Sequence, residues 1–374
     1  MVICHYIDHM SKHHIDEKTP ACYALVQPGL EEIASDEVVR ELGGEVKKSG
    51  AGLVAFRVDA ISPDLLKLRT TEDVFLLAWG TDDLTRRASV DLERIRQWTK
   101  KAPWQQLLKI HHAIHVKPKG KPTYRLVTQM NGAHGYRRFD ARKMLAQGLE
   151  GVFPESWKPA EENAAVEVWL TIDGDQAVCG MRLSDRSMRH RLYKLEHRPA
   201  SLRPSVAAAM VRLSGTAPGQ VVLDPMCGAG TILAEQAELA RQRNAGRIVV
   251  WGGDLEMDAL RAAAANLRRH KPEMLMRWDA RRLPLPGSCV DRIICNPPFG
   301  KQLSDPAGIG RLYKELVAEF DRVLKPGGRA VLLDGVAEPL LDAIRPVGWS
   351  GQRQVRLRVL GLPALIGVWR KGET

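Results

Sequence analysis

Two short stretches of this chain hold residue types that can do chemistry, and both follow apolar runs. Asn296-Pro297-Pro298-Phe299-Gly300 closes the run Val290–Asn296. The Asn296 carboxamide and the backbone carbonyl of Pro297 can accept the two N–H bonds of an exocyclic amino group on a base. Such a nitrogen is a poor nucleophile, because its lone pair is delocalised into the ring. Holding it for in-line attack and stabilising its developing positive charge is the help it needs. The two prolines stiffen the loop and fix its carbonyls in advance. Phe299 offers a flat face on which a base can stack. Methylation of ribose or of a cytosine carbon needs other apparatus, such as a Lys base or a Cys nucleophile. Cys295 precedes the loop, but strand alternation turns it away, and it reads as a buried strand cysteine.

The second stretch is Asp224-Pro225-Met226-Cys227-Gly228-Ala229-Gly230-Thr231, after the run Val221–Asp224. Gly228 and Gly230 let the backbone turn tightly and approach a ligand closely. A dinucleotide loop would place a third glycine three residues after the second, where this chain has Leu233. The departure suits a ligand without a pyrophosphate. Asp224 before the glycines suits a cationic one, such as S-adenosylmethionine with its amino group and sulfonium. Asp254 ends the next apolar run and is placed to accept from two ribose hydroxyls. Asp279 ends the one after and can accept from the adenine amino group. The expected cofactor contacts are therefore Asp224, Met226, Gly228, Gly230, Thr231, Asp254, Asp279, Ala280 and Asn296. Singly, each acid is as well explained as a solvated turn residue; three at successive strand ends are not.

The elements that must position these residues alternate in kind. The expected strands Val221–Asp224, Ile248–Asp254, Leu275–Asp279, Val290–Asn296 and Arg329–Asp334 are separated by helices over Ile232–Arg243, Asp258–His270, Gly310–Leu324 and Glu338–Ile344. That alternation indicates right-handed crossovers and a parallel sheet, whose strand ends form the ligand site. Gln354–Leu360 and Ala364–Arg370 are joined by only Gly361-Leu362-Pro363, too short for a parallel crossover, so the last strand is antiparallel. The expected fold class is α/β, a seven-stranded Rossmann-like methyltransferase sheet after smaller α+β units. Upstream, the expected strands are Ala21–Val26, Leu53–Val58, Val74–Trp79, Ala113–Val116, Tyr124–Met130, Ala164–Ile172 and Gln176–Leu183. Helices are expected over Leu30–Leu42, near Pro63–Leu68, over Asp91–Lys101 and near Asp140–Gly151. Asp173-Gly174 signals a hairpin.

The net charge of +11 is unevenly placed: −5 over residues 1–99, +9 over 100–203 and +7 over 204–374. Lys100–Lys143 holds eleven Lys/Arg and a single acid, Asp140. Such a run is usually a solvated face, but beside an enzyme core it raises nucleic-acid binding, whose affinity comes largely from phosphate contacts. The six cysteines form no CxxC pair, which argues against a zinc site and a disulfide framework. No apolar run approaches the ~20 residues that span a bilayer. A soluble, cytoplasmic protein without metal is expected.

These motifs resemble the THUMP-domain guanine-N2 RNA methyltransferases of the class I Rossmann-like group. Besides the two loops, His197-Arg198-Pro199-Ala200-Ser201-Leu202-Arg203-Pro204 is similar to that family's entry to its catalytic domain. Tyr23-Ala24-Leu25-Val26-Gln27-Pro28-Gly29-Leu30-Glu31 is similar to its N-terminal start. The polar, His-rich start reads as a flexible leader over 1–20 and residues 184–204 as a basic linker, while the resemblance implies a ferredoxin-like domain over 21–69, a THUMP RNA-binding domain over 70–183 and a catalytic domain over 205–374. It implies S-adenosylmethionine as cofactor and tRNA as partner, a guanosine near the acceptor stem as target, and a monomer. Asn296, Pro297 and Phe299 would then hold the guanine. Arg137, Arg138, Arg142 and Lys143, with Arg189, Arg191, Lys194 and Arg198, would contact RNA phosphates. Three alternatives remain open at this point: guanine-N2 methylation of rRNA, N6-methylation of adenine in RNA or DNA, and a non-catalytic RNA-binding protein on a degenerate fold.

Overall fold

A computed structural model describes residues 19–115, 122–198, 201–244, 246–298, 308–335 and 337–373. They divide into two compact units. One holds the described residues up to Leu25 with Ser35–Leu68 and Asp73–Asp185; the other holds Val26–Ala34, Arg69–Glu72 and the chain from Arg186 onward.

In chain order the N-terminal elements are β1 (Cys22–Val26), α1 (Glu31–Leu42), β2 (Glu45–Gly50), β3 (Leu53–Arg57), β4 (Thr71–Thr81), α2 (Ala88–Lys101), α3 (Trp104–Ile114), β5 (Thr123–Asn131), α4 (Arg138–Gly148), β6 (Lys158–Pro159), β7 (Val166–Asp173) and β8 (Gln176–Arg182). Helix α1 has Glu31 and Glu32 in its first turn and Arg40 in its last, the charge order that suits a helix dipole. Among the described residues the eight strands make one sheet, ordered β2-β3-β1-β4-β8-β7-β5-β6. The strands of the two expected N-terminal domains therefore run together in a single sheet. Asp173 pairs with Gln176 across a tight turn, as the Asp-Gly signal indicated.

Three local readings differ from expectation. Ala113 and Ile114 end α3 rather than begin a strand, because Trp104, Leu107, Leu108 and His111 bury one face at helical spacing. Val116, the end of that expected strand, lies outside the described residues. The helix expected near Pro63–Leu68 is a short 3-10 helix, Pro63–Lys67, capped by Ser62. Strand β2 was not expected, since Glu45, Lys47 and Lys48 make it polar; charged side chains of this kind blunt a sheet edge.

The second unit follows with α5 (Arg186–His190), α6 (Pro204–Ser214), β9 (Val221–Asp224), α7 (Thr231–Gln242), β10 (Val249–Asp254), α8 (Met257–Leu267), β11 (Met274–Arg277), β12 (Val290–Cys295), α9 (Ile309–Val323), β13 (Leu324–Asp334), α10 (Ala337–Ile344), β14 (Ser350–Val359) and β15 (Leu362–Arg370). Its seven-stranded sheet runs β11-β10-β9-β12-β13-β15-β14. Strands β9 to β13 pair in parallel, while β15 is antiparallel to both β13 and β14. The strand order reverses beside β9, so the crevice for a ligand lies beyond the ends of β9 and β12. Apolar clusters hold the sheet from both sides. One joins Val206, Met210, Ile232, Ile294 and Ile366; the other joins Leu223, Ile293, Tyr313, Phe320 and Leu332.

Candidate active site

Asp224 ends β9, and the chain then turns through a loop into the first residue of α7, Thr231. Gly228 and Gly230 have φ of +52° and +75°, a region that costs other residues strain. A Cβ on Gly230 would meet Leu267 Cδ1 at 3.0 Å and Ala263 Cβ at 3.2 Å, whereas one on Gly228 would meet nothing within 4 Å. Gly230 is thus needed for packing against α8, and Gly228 borders open space. The loop is braced from the next strand: Gly228 N donates to Asp254 Oδ2 at 2.9 Å, and Glu256 N to Asp254 Oδ1 at 3.0 Å. Trp278, buried, donates its indole N–H to Pro225 O at 2.9 Å. Sequence reasoning missed that brace; a Trp just before Asp279 was the available signal.

A cavity of about 350 Å³ lies against this loop. Asp224, Met226, Gly228, Thr231 and Asn296 line it together, and Arg198, Ser201 and Leu202 are also in its lining. The Asp224 carboxylate is buried, and Met226 N donates to it at 3.3 Å. Burial, with the neighbouring Asp254 charge, pushes its carboxyl well above the ordinary value near 3.8. An acid in that state fits a cationic group, which would restore its ionised form.

Asn296 follows β12 directly, and its Oδ1 is buried with no hydrogen-bond partner among the described residues. A buried acceptor left without a donor is costly unless a ligand supplies one. The loop behind it is tethered. Tyr313, on α9, places its hydroxyl 2.8 Å from Asp334 Oδ1 and 3.2 Å from Pro298 O. Both side chains are buried, and burial and the adjacent Asp334 push the phenol up. This pair, too, escaped sequence reasoning, although Asp334 closes an apolar run just as Asp224 does. Cys295 is fully buried and its thiol is pushed up by burial, so it is no nucleophile. Phe299 lies outside the described residues.

Asp279 stands differently. It lies two residues beyond β11 in an isolated bridge with Arg282, not at the strand's last position. Arg281 already holds its carboxylate, with Nη2 at 2.6 Å and Nε at 3.0 Å, and that pairing keeps the carboxyl below its ordinary value. Ala280 beside it is buried. Neither residue is in the cavity lining.

The expected phosphate contacts separate into classes. Arg137, Arg138, Arg142 and Lys143 are exposed on and beside α4, around Phe139, which is 72% exposed. Arg191 is corrected: it is buried, with Nε 3.1 Å from Glu235 Oε1 and further bonds to the carbonyls of Met188 and Arg69. A guanidinium so enclosed cannot reach a phosphate. Its partner Glu235, wholly buried on α7, also takes Arg69 Nη2 at 3.0 Å and the Tyr193 hydroxyl at 2.7 Å. Burial pushes the Glu235 carboxyl up, but the two guanidiniums outweigh it and hold it below the ordinary value. Arg198, in the lining of the cavity beside Asp224, pairs with Glu256, while Arg189 and Lys194 line a separate one.

Among the described residues no group of three or more His, Cys, Asp or Glu side chains could hold a metal, and Cys22, Cys179, Cys227, Cys289 and Cys295 form no disulfide. No described helix is long and apolar enough to cross a membrane.

Residues 191–361 match the family model described as UPF0020, RMKL-like, methyltransferase domain. The chain is 28% identical over 340 residues to a tRNA (guanine(6)-N2)-methyltransferase of Thermus thermophilus, covering 87% of this chain and 92% of that one. It is 32% identical over 245 residues to tRNA (guanine(6)-N(2))-methyltransferase THUMP3 of Bos taurus, covering 62% of this chain and 48% of that one. It therefore spans nearly all of the bacterial relative and about half of the bovine one. The crystal structure of TrmN from Thermus thermophilus superposes with a TM-score of 0.77 at 26% identity, covering 94% of this chain and 99% of that one. Residues 191–361 are thus similar to the UPF0020 RMKL-like methyltransferase domain, and the chain is an S-adenosylmethionine-dependent methyltransferase.

Proposed function

We propose that the protein methylates the exocyclic N2 of a guanosine in tRNA, in the acceptor-stem region and at position 6. The observation that carries the chemistry is the buried Asn296 Oδ1, without a partner among the described residues, on the cavity that Asp224 and Gly228 also line. The names of the bacterial and bovine relatives support the nucleotide and its position. When bound, the cofactor supplies an electrophilic methyl on a sulfonium. Asp224 would hold its cationic amino group, and the Gly228 backbone would let it approach. Asn296 Oδ1 accepts one N–H of the target amino group, and the Pro297 carbonyl accepts the other. Both draw positive charge from the nitrogen as it attacks. The Tyr313–Asp334 pair keeps the loop that carries those acceptors from relaxing away.

A guanosine inside a stem must leave its stack, at a cost of a few kcal/mol that phosphate contacts must offset. We assign residues 70–183 as a THUMP domain after a ferredoxin-like one over 21–69, joined by the linker 184–204 to the catalytic domain 205–374. The exposed cations at Arg137, Arg138, Arg142 and Lys143 would hold RNA there. Incubation with labelled cofactor and total tRNA, followed by nucleoside mass spectrometry, tests the reading. N2-methylguanosine supports it; N6-methyladenosine, or no labelled nucleoside, overturns it.

A further inference from the structure

The second unit carries another cavity, of about 320 Å³, that the methyl-transfer reading leaves without a role. It is lined by the cations Arg189, Lys194 and Arg203, with His190 and His197 among them. The acid in its lining is Glu72, and Arg203 Nη1 lies 3.0 Å from that carboxylate. Lys194 is half-buried, with Nζ 3.3 Å from Leu202 O. Burial pushes its ammonium down from the ordinary value, against the pull of Glu235. A half-buried amine among other cations gains from an anion that arrives to share its charge. Pro204 and Ser205, the first residues of the eleven-residue α6, line the same space, so the positive end of that helix adds to the field.

The cavity's position narrows the anion. Ser201 and Leu202 line both this cavity and the one holding Asp224 and Asn296, so a single stretch of chain separates the two. Among the described residues in its lining there is no Phe, Tyr or Trp on which a base could stack. It is built for charge, beside a site built for a base. We propose that this cavity seats a backbone phosphate of the RNA next to the target guanosine while the base enters the neighbouring cavity. The proposal rests on RNA being the substrate and adds where the strand is gripped. A phosphate held here, one wall from Asn296, would fix how far the flipped nucleotide reaches.

Two arms test it. In binding titrations with unfractionated tRNA, Lys194→Met and Arg189→Met should each flatten the dependence of log K on log salt by about one ion. Cofactor affinity should not change, which also shows that the variants fold. An unchanged slope in both overturns the proposal, whatever product the enzyme makes. The second arm keeps the wild-type protein and replaces, one at a time, the phosphates flanking the methylated guanosine by neutral methylphosphonates. One replacement should raise the RNA KM about tenfold, and Lys194→Met should add little to that loss, since both remove one contact. Fully multiplicative losses, or no effect at either phosphate, would overturn it. Competition by inorganic phosphate without any methylphosphonate effect would assign the site to free phosphate instead. Absence of N2-methylguanosine with a flattened slope would sink the guanine assignment while leaving the phosphate seat standing.

Discussion

Asp224 ends one strand of the second sheet and Asp279 lies two residues beyond another, and they stand in opposite conditions. Asp224 is 1% exposed, accepts from Met226 N at 3.3 Å, and is pushed toward its neutral form. Asp279 is about a third exposed and already ionised against its own neighbour Arg281, which also reaches Glu315 at 3.4 Å. The first acid waits for a cation, and the second must exchange one partner for another. The buried end of the site is preorganised by packing and by tethers, including Trp278 on Pro225 and Tyr313 on Pro298. The exposed end is held by ion pairs that water can replace. Substitutions at the buried end should therefore have large effects, and those at the exposed end small ones.

The largest effect should come from Glu235, which anchors Arg69, Arg191 and Tyr193 to α7. Glu235→Ala removes the carboxylate that Arg191 and Arg69 share, leaving Arg69 the more distant Glu238 at 3.7 Å, and should lower stability by about 3–5 kcal/mol, read by denaturant unfolding. A loss comparable to that of a surface substitution would show the cluster to be incidental. Tyr313→Phe should come next. Removing the hydroxyl frees Pro298 O and leaves Asp334 short of a donor, and kcat should fall about tenfold while cofactor affinity holds. A fall in affinity with unchanged kcat would contradict a role in holding the loop.

A pH effect at Asp224 sharpens the comparison further. Its carboxyl is raised in the folded chain, so between the ordinary value near 3.8 and that raised value the folded form binds a proton the unfolded form has lost. This group's contribution to stability thus falls as pH rises through that window. A cationic ligand that favours the ionised form should release up to about one proton on binding and bind more tightly as pH rises. Calorimetry in buffers of different ionisation heat reads this directly, and Asp224→Asn should abolish it. The smallest effect should be Arg281→Ala. It should leave the melting temperature within scatter and change cofactor affinity by less than about fivefold, because the lost pair was exposed. A large loss would mean that the exposed end is held as firmly as the buried one.

The contrast also explains what was legible in the sequence. The strand-helix alternation after residue 206 located the five parallel strands, since β9, β12 and β13 are largely buried and read as apolar runs, while the short link Gly361-Leu362-Pro363 located the antiparallel pair. The two loops were visible because glycines, prolines and a strand-end Asn have few other reasons to stand together. Polar and long-range features were not visible. The edge strand β2 has no apolar run, and Asp279 lay beyond its strand because Arg277 and Trp278 look as strand-like as what precedes them. Nothing in local sequence separates Arg191, enclosed on Glu235, from the exposed Arg142. Burial of a charge is decided by partners distant in the chain, here Glu235 at a separation of 44 residues.

We propose that Asn296 Oδ1, buried without a hydrogen-bond partner among the described residues, takes as its partner the amino group being methylated. Single-turnover methylation of tRNA by Asn296→Ala, with cofactor and RNA affinities measured on the same preparation, tests it most directly. The predicted result is a rate lowered by about 10²–10³-fold or more with both affinities nearly intact. A rate close to wild type, or a loss explained wholly by weaker binding, would contradict it.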